Sequence, residues 1–91
     1  MTDFEKAAEV IATLKAAERE PAPIALGKLN GLVALVQGDP DQPLEIAEAR
    51  TSAFLAICEV GKALHRGQST HGLWASAIAA AERWMSLVRG R

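Results

Sequence analysis

The stretch that decides the fold is PLEIAEARTSAFLAICEVGKALHR, residues 43–66. Its polar strip is narrow: Glu45, Glu48, Ser52, Glu59, Lys62 and Arg66. Leu44, Ile46, Ala47, Phe54, Leu55, Ile57, Cys58, Val60 and Leu64, with small residues between them, fill the other positions. The spacing predicts one long helix, about 34 Å at 1.5 Å per residue. A helix apolar over most of its circumference is contacted on several sides. Acids open it, and Lys62 and Arg66 close it, which suits the helix dipole.

On the N-terminal side, Gly38-Asp39-Pro40-Asp41-Gln42-Pro43 is a turn by its chemistry. Before it, a helix is expected over 24–37, with Pro23 in its first turn and Gly38 just past its end. Ile24, Ala25, Leu26, Leu29, Leu32, Val33, Leu35 and Val36 cover more than half of its wheel. Gly27, Gly31 and Ala34 form a stripe of small residues on the rest. Each interior glycine costs roughly 1 kcal/mol of helix propensity, so a close approach of another backbone is expected to offset it. A first helix is expected over 3–19. Thr2 and Glu5 form a capping box, and Phe4, Ala7, Val10, Ile11, Leu14 and Ala17 share one face. Pro21 ends it.

On the C-terminal side, Gly67-Gln68-Ser69-Thr70 reads as a turn, with Thr70 as the cap of a last helix over 71–89. Leu73, Trp74, Ala77, Ile78, Ala81, Trp84, Met85 and Val88 fill half of that helix, and Glu82, Arg83, Ser86 and Arg89 face outward. No stretch alternates at period two, so no strand is expected. The expected fold is all-α, a compact antiparallel four-helix bundle in a single domain over residues 1–91.

Composition bounds the function. Hydrophobic residues make up 49% and charged residues 23%, a balance that folds rather than staying disordered. The one cysteine excludes an internal disulfide framework and fits a reducing, cytoplasmic setting. No apolar run reaches the roughly 20 residues that span a bilayer, and the acidic start is unlike a secretory signal. The net charge of −1 gives no global attraction to nucleic acid or an anionic membrane. The charge is uneven, however: residues 1–60 sum to −5 and residues 61–91 to +4, and the two ends are expected to neutralise each other in the fold.

Two helices apolar nearly all round exceed what so small a bundle can cover, so a partner is expected, most simply a second copy in a twofold dimer. The expected interface residues are Gly27, Gly31, Ala34, Arg50, Trp84 and Arg83. For the glycine stripe, packing against the third helix within the chain is the equal alternative. Arg50 falls in the apolar sector near Ile57 and Gly61. Its stem is expected to lie along apolar surface with its head on a carboxylate at the bundle edge; an interface ion pair or an anion site are the alternatives. Trp84 beside Arg83 has the composition of an interface anchor.

Catalytic and metal motifs are weak. Cys58 and His65 lie seven apart, two turns and about 10.5 Å along a helix, too far for a nucleophile and its base. His65 and His71 could meet across a turn, but Cys58 reads as a small buried hydrophobe. Glu45 and Glu48 read as solvated acids at a helix start. No phosphate loop or nucleophile elbow is present. The expected function is a non-catalytic helical protein–protein interaction module, an adaptor, regulator or small inhibitor, without cofactor or metal, pairing with itself and with another protein. The alternatives are a nucleic-acid-binding regulator using the basic C-terminal third, and a small-ligand or metal-binding bundle at Arg50 or at His65 and His71.

Overall fold

The computed structural model describes residues 2–38 and 41–89. Four helices follow in order: α1 (Asp3–Ala17), α2 (Ala22–Leu32), α3 (Leu44–His65) and α4 (Leu73–Val88). No strand occurs among the described residues. The envelope measures 38 × 19 × 19 Å, with a radius of gyration of 12.6 Å. Its long axis is close to the roughly 33 Å that a 22-residue helix such as α3 occupies. α1 lies beside α2 and α4, and α3 beside α4 and α2; the backbones of the two diagonal pairs stay more than 8 Å apart among the described residues. No described helix is long and apolar enough to cross a membrane.

The ends of the helices follow local chemistry, with three departures from expectation. At α1 the Glu5 backbone N–H donates to Thr2 Oγ1 at 3.2 Å, and that hydroxyl donates to the Glu5 carboxylate, also at 3.2 Å. The hydroxyl half of the capping box is therefore formed. α1 stops at Ala17 because the chain tightens into three-residue turns, Arg19 N–H to Ala16 O and Glu20 N–H to Ala17 O, before Pro21.

α2 ends at Leu32, not Gln37. The Val33 N–H bonds to Asn30 O at a stretched 3.4 Å, and Val36 turns inward to join the core. Gly31 immediately precedes this loosening, and glycine is a poor helix former. Gly38 is not in the left-handed conformation and so is no helix terminator. Asp39 and Pro40 of the expected turn lie outside the described residues.

α3 closes on a full Schellman motif: Gln68 N–H donates to Ala63 O at 2.8 Å and Gly67 N–H to Leu64 O at 3.3 Å, with Gly67 at φ +66°. α4 starts at Leu73 behind a left-handed Gly72 that makes no side-chain cap. Thr70 instead accepts from Leu73 N–H through its backbone oxygen, so the expected hydroxyl cap is absent there.

The core is one cluster. Ala7, Val10, Leu14 and Ala17 of α1 meet Ala25, Leu29 and Leu32 of α2, Ala53 and Val60 of α3, and Ala77, Ala81 and Trp84 of α4. Alanines on every helix let the backbones approach, and Trp84 fills the space between as the largest fully buried side chain. No polar or charged residue is buried among the described residues.

Candidate functional site

The outer face of α2 is where the packing is incomplete. Ile24, Gly27, Gly31 and Ala34 are all exposed, Ile24 at 50%. A Cβ built on Gly27 or on Gly31 meets nothing within 4 Å. Packing of the glycine stripe against α3 within the chain is therefore corrected: the stripe faces outward. The two glycines cost α2 stability without any internal contact that uses their small size.

Beside that face, α2 and α3 make the sparsest contact of the neighbouring pairs and leave an open groove of about 490 Å³. Leu26, Leu29, Val33 and Ile57 form its apolar walls, with half-buried Cys58 beside them. Lys62, His65 and Arg66, from the last turn of α3 and its cap, line it at one end. Lys62 Nζ lies 3.5 Å from Glu59 Oε1 in a pair whose side chains are more than half exposed.

α3 also turns Leu44, 73% exposed, and Leu55, 57% exposed, to solvent. Eleven residues apart, they share a face with Glu48 and Thr51. The wheel already groups them with the polar strip, a signal passed over when the helix is counted as apolar on nearly all sides. α3 thus keeps one face in solvent and is not surrounded.

Arg50 is half-buried, not deep in the apolar sector. Its guanidinium donates to Gln42 Oε1, and Gln42 Nε2 donates to Asp3 Oδ2. The expected direct meeting with a carboxylate is corrected to a relay through an amide. This relay ties α3, the segment before it and the start of α1 together. It engages Arg50 within the chain. The sequence places Gly38 and Gln42 in a turn but not beside Arg50, because no spacing rule reports which distant side chain a turn residue meets.

Trp84 is 0% exposed, so as a surface anchor it is corrected: it is a core residue. Its Nε1 finds no hydrogen-bond partner among the described residues. Arg83 is exposed on α4. α4 and α2 do not touch, so Arg83 and the glycine stripe do not form one patch. Arg89 at the α4 end sits 5.7 Å from the centroid of the Phe4 ring and covers it; Arg91 lies outside the described residues.

His65 and His71 are both exposed. No group of three or more metal-binding side chains is assembled among the described residues. Comparison of the chain with protein-family models, curated proteins and solved structures finds no match.

Proposed function

We propose that this chain is a non-catalytic helical interaction module, an antiparallel four-helix bundle that pairs with a second copy of itself through the outer face of α2. The neighbour relations support the antiparallel reading, since consecutive α1 and α2, and α3 and α4, pack side by side across short connections. One observation carries the pairing. Gly27 and Gly31 sit exposed in a helix that gains nothing from them internally, on the same side as exposed Ile24. A helix with a smooth, nearly uncharged outer face lets another helix backbone approach closely, and a twofold arrangement brings the same face of a second copy against it. A lone, half-buried Cys58 is in keeping with a reducing compartment such as the cytoplasm.

The test is size exclusion with light scattering on wild type and on Gly31→Leu. The space around Gly31 is open, so the leucine leaves the isolated chain folded, with unchanged far-UV circular dichroism. Wild type elutes at twice the 9.7 kDa chain mass and the variant at the chain mass. A variant that stays dimeric moves the interface away from α2.

A further inference from the structure

We propose that the groove between α2 and α3 binds a single-chain aliphatic carboxylate, its tail between the helices and its headgroup at Lys62 and Arg66. The shape is suitable: about 490 Å³ lies within the range of small-molecule sites, which are mostly apolar with a few polar groups that fix orientation. Leu26, Leu29, Val33 and Ile57 supply a wall with no charge. The charges that line the groove are of one sign and come from one end of α3.

Basic residues at a helix C-terminus are ordinarily accounted for by the free carbonyls there. Here the Schellman motif already supplies N–H donors to the Ala63 and Leu64 carbonyls. No side-chain hydrogen bond or ion pair engages Arg66 or His65 among the described residues. Lys62 meets only Glu59, in an exposed pair of the kind that contributes little, and its ammonium keeps further donors. An apolar trough that ends in uncommitted cations complements a ligand with an alkyl chain and one anionic end. A neutral chain leaves the cations unused, and a cationic one is repelled. Gly27 and Gly31 line no part of the groove, so this proposal stands apart from self-association.

The experiment titrates the protein with decanoate, decanol and decyltrimethylammonium, each below its micelle concentration, and follows backbone amide shifts by NMR. Decanoate is expected to bind saturably, with shifts concentrated at Leu26, Val33, Ile57 and Cys58, and more tightly than either other chain. The variant with Lys62→Gln and Arg66→Gln alters only exposed side chains. It weakens decanoate about tenfold or more, as loss of charged hydrogen bonds implies, and leaves decanol unchanged. Equal binding of all three chains, shifts centred elsewhere, or no saturable binding of decanoate overturns the proposal.

Discussion

Gly38 leaves its side-chain space to Arg50: a Cβ built at position 38 would collide with the guanidinium carbon and both of its terminal nitrogens. The same guanidinium donates to Gln42, and Gln42 to Asp3. Gly38 of the segment after α2, Gln42 just before α3 and Asp3, the first residue of α1, are therefore linked through one cation.

Gly38→Ala moves Arg50 off its seat. The arginine end is flexible, so the backbone is spared and the cost is chiefly the hydrogen bond to Gln42, about 1 kcal/mol. In an Arg50→Ala background the same substitution is neutral. A double-mutant cycle read by urea unfolding checks the coupling; additive effects would show that Gly38 and Arg50 act independently.

Gly27→Ala and Gly31→Ala act with opposite signs on folding and on association. In the dissociated chain each adds roughly 0.5–1 kcal/mol of helix stability, because the added methyl meets open space. Across a close helix–helix contact the same methyl holds the backbones apart and raises the dimer dissociation constant. Thermal melts at low concentration and the molar mass from sedimentation equilibrium separate the two effects.

Trp84→Ala removes the largest fully buried side chain and costs about 3–5 kcal/mol, a large part of the stability of a domain this size. Trp84→Phe costs less, since it keeps much of the packing and deletes an indole N–H that has no described partner. Arg83→Ala, on the outside of the same helix, stays within about 0.5 kcal/mol of wild type. Urea midpoints of the three variants give the order.

Gly67→Ala places a Cβ on a residue at φ +66° and costs about 1–2 kcal/mol. The loss shows as a lower urea midpoint. Gly61→Ala, within α3 and with open space around it, moves the midpoint upward instead.

How much of this was legible in the sequence depends on the range of the interaction. The α1 core face from Ala7 to Ala17, the Thr2 hydroxyl cap and the outward Glu82, Arg83, Ser86 and Arg89 follow from local periodicity and chemistry, and the structure has them so, while Phe4 of the same face is exposed. The early end of α2 was not legible, because the loosening beside Gly31, where the Val33 N–H to Asn30 O bond stretches to 3.4 Å, leaves no mark on a helical wheel. The seat of Arg50 depends on Gly38 and Gln42 lying against its guanidinium, which no spacing rule reports. Trp84 was misplaced because indole composition suits a core and an interface alike, and only the packing of four helices decides between them. The groove was hidden for a related reason: its walls come from two helices, and each wheel alone shows only an apolar side.

The central claim is that α2 keeps its outer face for a second copy. Sedimentation equilibrium of the wild-type chain across a hundredfold range of concentration tests it most directly. The account predicts a mass that approaches twice 9.7 kDa as concentration rises. A mass that stays at that of one chain throughout would contradict it.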